Sequence, residues 1–90
     1  MTEVVEIVAE MQRQLRQKVA KFPGGCVADV RYVDGPSPLL HLCLFQKHQL
    51  NIAVGCRFAI ETIDRTGIET IADIVAKNLQ MELFRKITGL

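Results

Sequence analysis

Ninety residues, 49 % hydrophobic and 23 % charged, make one domain (1–90) with one core, too short for two domains and too apolar for an intrinsically disordered chain. The formal net charge is +1, from 11 basic and 10 acidic residues, so no global field draws the chain to nucleic acid or to an anionic membrane. No apolar run approaches the roughly 20 residues that cross a bilayer, and Glu3, Glu6 and Glu10 stand where a secretory leader would be basic and then apolar, so a cytoplasmic protein is expected.

The pattern predicts a first helix from Thr2 to about Phe22. Val4, Val8, Met11, Leu15, Val19 and Phe22 share one stripe, with Ile7 beside it, and most other positions are Glu, Gln, Arg or Lys. Acidic residues fill its first half and Arg13, Arg16, Lys18 and Lys21 its second, which complements the helix dipole and allows a Glu10 to Arg13 pair. Those four cations are the place to look for nucleic-acid contacts. Arg13, Arg16 and Lys18 project in different directions and no aromatic ring interleaves with the cations, which is the pattern of a solvated face.

Pro23-Gly24-Gly25 breaks the helix. From Cys26 to Val33, Ala28, Val30 and Tyr32 alternate with Asp29 and Arg31, as in a strand with one solvated face. Asp34-Gly35-Pro36-Ser37-Pro38 is a turn. Leu39 to about Gln46 is apolar on both faces, with Leu40, Leu42 and Leu44 on one and Leu39, Cys43 and Phe45 on the other beside His41, which predicts the central strand. Lys47-His48-Gln49 reverses the chain. From Asn51 the even positions Ile52, Val54, Cys56, Phe58 and Ile60 predict a third strand, with Gly55 as a candidate bulge. A short helix from about Arg57 to Asp64 is the competing assignment.

The last helix spans Thr66 to Leu90. Thr66-Gly67-Ile68-Glu69 fits a capping box, and Gly89 after Arg85 and Lys86 fits a left-handed stop. Ile68, Ile71, Ala72, Val75, Leu79 and Leu83 form a core stripe with Ile87 at its edge, whereas Ile74, Met81 and Phe84 fall on the opposite side among Asp73, Lys77, Asn78, Gln80 and Arg85. The expected fold is therefore α+β, in the order α-β-β-β-α: a three-stranded antiparallel meander with two helices packed on one face. The second sheet face, with Leu39, His41, Cys43 and Phe45, has no layer left to cover it.

Cys26, Cys43 and Cys56 form an odd set without C-x-x-C spacing, which argues against a disulfide framework and a zinc knuckle and for reduced core residues. His41 and Cys43 point the same way on one strand. A metal site or an activated thiol would need further ligands or an orienting carboxylate, and none stands at a suggestive spacing. Cys56 and Arg57 point to opposite faces. Glu61 and Asp64 are a carboxylate pair that more simply solubilises the approach to the last helix, and no phosphate-binding loop is present. No metal, cofactor or catalysis is expected.

The expected function is a small non-catalytic interaction module, most simply a homodimer, that presents an apolar helix or sheet surface to another protein as an inhibitor, adaptor or assembly subunit. Ile74, Met81 and Phe84 are its expected contacts, with Lys77 and Arg85 as a polar rim. The alternative is nucleic-acid binding. The element order matches that of double-stranded-RNA-binding domains, and Gly35-Pro36 sits in the first hairpin, where such domains often carry a Gly-Pro. The start of the last helix, Gly67-Ile68-Glu69-Thr70-Ile71, departs from that pattern because it lacks the lysine cluster that grips phosphates, so membership is not assigned. A third alternative is a small ligand held between helices and sheet in a dimer.

Overall fold

The computed structural model describes residues 3–89. The chain runs α1 (Val4–Lys18), β1 (Cys26–Val33), β2 (Leu39–Gln46), β3 (Gln49–Ala59), α2 (Ile60–Thr66) and α3 (Ile68–Thr88). The strands pair antiparallel in the order β1-β2-β3, so the doubly apolar β2 is central, and α1 and α3 lie side by side on one sheet face.

Alternation in the strands and helical periodicity bring their apolar residues to the same layer. Leu40, Leu42 and Leu44 of β2 are fully buried there with Ala28 and Val30 of β1, and Val54, Cys56 and Phe58 of β3 pack against them. From the helices come Ile7, Met11 and Leu15 of α1 and Ile71, Ala72, Val75, Ala76, Leu79 and Leu83 of α3. Ala72 and Ala76 of α3 are small side chains buried in this layer. Among the described residues no polar or charged one is buried. On the wet side of α1, Glu10 accepts hydrogen bonds from Arg13 Nε and Gln14 Nε2, each at 3.0 Å. These bonds hold its carboxyl at about 2, well below the usual carboxylate range.

The structure departs from the sequence-based expectations at several places, and β3 begins at Gln49, inside the expected reversal, instead of at Asn51. α1 ends at Lys18, a turn before Phe22, because Pro23 disfavours helical backbone at the residue before it. The chain closes instead through Phe22 N–H to the Val19 carbonyl at 3.1 Å, a turn that still delivers both side chains to the core. Its stripe is centred on Ile7, Met11 and Leu15, with Val4 and Val8 only half-buried.

The third strand and the competing short helix each hold for part of 57–64. The strand runs to Ala59, which keeps Phe58 in alternation with the core, and the helix from Ile60 then turns Ile63 into full burial. Thr66 consequently closes α2 and caps nothing. Gly67 occupies the N-cap of α3 at φ 103°, a conformation that L side chains rarely adopt, and makes no side-chain cap bond. Gly89 does end α3 in the left-handed region, with its N–H on the Arg85 carbonyl at 2.9 Å. Thr2 and Leu90, the outer ends expected for the two helices, lie outside the described residues.

Finally, the bulge is not at Gly55. Phe45 pairs with Ala53 while Gln46 pairs with Gln49, so the register slips between Phe45 and Gln46 and skips 50–52 of β3, and Gly55 keeps its regular place opposite Cys43.

Candidate interaction surfaces

The helices take one side of the sheet, so the alternate residues of each strand face outward together. The pairing register sorts them into four cross-strand rows: Val27, Phe45 and Ala53; Asp29, Cys43 and Gly55; Arg31, His41 and Arg57; Val33, Leu39 and Ala59. Both end rows are apolar and both middle rows are polar. Val27 and Val33 are exposed, and Leu39, His41, Cys43 and Phe45 are half-buried by their strand neighbours. The four residues expected on the second sheet face, Leu39, His41, Cys43 and Phe45, lie together here, but the middle of the face is polar, with Arg31 and Arg57 on either side of His41.

Local contacts shape the middle rows. Arg31 Nε donates to Asp29 Oδ2 at 2.9 Å. His41 Nε2 lies 3.5 Å from Cys43 Sγ, and a Cβ on Gly55 would sit 3.1 Å from each of those atoms and from the Leu42 carbonyl oxygen. Glycine at this position is therefore a matter of space: it lets His41 and Cys43 lean over β3.

Partial burial first, and then Asp29, push the Cys43 thiol up, with Arg31 opposing, whereas a reactive cysteine needs the thiolate favoured. Cys26 is pushed up by burial, and Cys56 to about 11 by burial, then Cys43 and Glu82. All three are half-buried; Cys26 and Cys56 border the core as expected, and Cys43 stands on the opposite face. In a timed Ellman reaction at about pH 8, near the free-thiol pKa, the folded protein is expected to react more slowly than free cysteine, Cys56 slowest. Denaturant should make the three alike. Immediate reaction of Cys56 in the folded chain would contradict this packing.

The second surface is the outer side of α3. Ile74, Met81 and Phe84 remain 46 %, 47 % and 46 % exposed, with Lys77 and Arg85 among them. Arg85 Nη2 lies 3.7 Å from Met81 Sδ, which places the guanidinium along the edge of the patch. Ile74 also lines a shallow cleft of about 160 Å³ beside β3, shared with Phe58, Asn78 and Glu82. Further along the same flank Lys86 Nζ donates to the Ala53 carbonyl at 2.9 Å, which covers part of the β3 edge.

The other sequence candidates are not brought together. Arg13 is paired with Glu10 and Lys18 with Asp73 of α3, leaving Arg16 and Lys21 as solvated cations at the end of α1. Glu61 and Asp64 are both exposed on α2, and Glu61 accepts from Arg65 at 3.0 Å. Fully buried Met11, Leu15, Leu42 and Leu83 fill the layer that a small ligand between helices and sheet would need. Among the described residues, no group of three or more His, Cys, Asp or Glu could hold a metal ion, and no helix is long and apolar enough to cross a membrane. The row Arg31, His41 and Arg57 is not visible in the sequence. Its members lie 10 and 16 residues apart in the chain and meet only through strand pairing, so nothing local signals it.

No protein-family model, curated protein or solved structure matches the chain.

Proposed function

We propose that this protein is a non-catalytic interaction module that self-associates and presents an apolar surface to a protein partner, as an inhibitor, adaptor or assembly subunit. The observation that carries the proposal is the sheet with one bare face, bounded at both ends by apolar rows, on a molecule whose helix layer also leaves Ile74, Met81 and Phe84 outward. Monomers seldom leave apolar patches in two places, and two patches on different sides allow one to serve a second copy and the other a different protein. Partial burial that raises the Cys43 and Cys56 thiol pKa values supports a role without covalent chemistry.

Native mass by size-exclusion chromatography with light scattering tests the proposal first. A species heavier than a monomer is expected for the wild type. Phe84→Asp should stay folded and lose at least about tenfold in affinity for whatever protein docks on α3, the scale set by hot-spot aromatics. A wild type that remains monomeric at all concentrations, with partner binding indifferent to Phe84→Asp, would refute it.

Nucleic-acid binding retains one observation in its favour, which is the row of Arg31, His41 and Arg57 on the same face as Phe45. Planar side chains on an open sheet, flanked by cations, are a platform on which single strands stack. The double-stranded mode suggested by element order has no lysine cluster at the start of α3 to support it.

A further inference from the structure

We infer that the open sheet face is occupied by a second copy of this chain, stacked face to face with its strands running in the opposite direction. The inference rests on the self-association proposed above and specifies its geometry. Two identical faces can be laid together about a two-fold axis that runs either along the strands or across them, and sheets packed in aligned fashion keep their strands within about 30°. With the axis along the strands every row meets itself. Arg31 then meets the partner's Arg57 on one side and Arg57 the partner's Arg31 on the other, with imidazole against imidazole between them, an array of like charges in one drying layer.

With the axis across the strands the rows exchange. Val27, Phe45 and Ala53 meet the partner's Val33, Leu39 and Ala59, so apolar rows close on apolar rows at both ends. Asp29 meets the partner's Arg31, and the reverse pair forms at the symmetric position. Cys43 meets the partner's His41. Arg57 lies over the partner's Gly55, where that copy's own His41 and Cys43 lean in and no cation stands. Charge and polarity therefore agree in this arrangement, and the other brings the cations together. Strand spacing and rise give the face a planar footprint of roughly 14 by 25 Å. That is small for a dimer interface, so association on the order of micromolar is expected, and a concentration series is required.

The test is sedimentation or light scattering from about 10 μM to about 1 mM, a span chosen around the micromolar expectation, with circular dichroism on every variant. Wild type is expected to approach twice the monomer mass. Asp29→Arg and Arg31→Asp should each weaken the dimer at least about tenfold, because each sets like charges opposite one another. Mixed one to one, they should re-form a dimer, since one face now carries cations and the other carboxylates. Neither variant can make the internal Asp29–Arg31 pair, so recovery in the mixture cannot come from that contact.

Stacking about the other axis predicts the reverse for Arg31→Asp alone, which would then face Arg57 and tighten the dimer; that result, or a mixture that stays monomeric, overturns the inference. A dimer lost with Phe84→Asp and kept with Phe45→Asp would put the second copy on α3. The face-to-face stacking would then be wrong while the broader function stands. A wild type monomeric throughout would remove both. Salt-dependent binding of an oligo-dT by monomeric wild type, lost in Arg31→Asp, would assign the face to nucleic acid and overturn the inference.

Discussion

Leu83→Asp is expected to leave the chain unfolded at 25 °C, while Phe84→Asp, one residue on, should melt within a few degrees of wild type. Leu83 is 0 % exposed at the inner side of α3, and Phe84 is 46 % exposed on the outer side. Removing a buried leucine side chain costs about 2–5 kcal/mol, and placing an unpaired carboxylate in the same site adds several more unless it takes up a proton. A domain of this length has about 5–13 kcal/mol in total, so the first variant consumes most or all of it. At the outer position the substitution falls among surface changes, usually within about 0.5 kcal/mol. Far-UV circular dichroism with thermal melts decides the matter. Equal damage from the two variants would mean that α3 is not rotated as described, and the proposed contact surface would fail with it.

Leu42→Ala is the second large effect. Leu42 stands at the middle of the central strand, between Val30 and Cys56 in register, and is fully covered by the helix layer. The lost transfer energy and the cavity together should cost about 3 kcal/mol, which for a domain of this size lowers Tm by roughly 12–24 °C. Leu39→Ala, on the bare face of the same strand, should cost about 1 kcal/mol or less when measured at a concentration where the chain is monomeric. Its cost should rise with protein concentration if the second copy covers that face, because binding to the folded state alone adds to apparent stability. Chemical denaturation at two concentrations measures both quantities.

Both pairs of variants bear on function as well as on stability. Each separates a residue that holds the layers together from a neighbour outside the helix–sheet layer. Phe84 and Leu39 contribute little inside one copy, so their apolar side chains are available to contacts outside it. The surface role of α3 and the dimer role of the sheet can thus be mutated apart from the fold and from each other.

Which residues face which way follows from the local pattern of the chain. Strand side chains alternate and helical ones recur every 3.6 residues as a property of the local backbone. That is why Leu40, Leu42 and Leu44, the α3 core stripe and the outward Ile74, Met81 and Phe84 were legible, as was the stop at Gly89. What depends on partners distant in the chain was settled only by packing and pairing. The strand gives way to a helix after Ala59 because Ile63 finds a place in the core, and that leaves Gly67 instead of Thr66 to begin α3. Gly55 is required by side chains on the neighbouring strand and marks no bulge. The rows that give the open face its charge pattern exist only after three strands have chosen a register. Register is set by long-range pairing and by the burial of the opposite face, so Asp29, Arg31 and Arg57 could be recognised as one surface only in the folded chain.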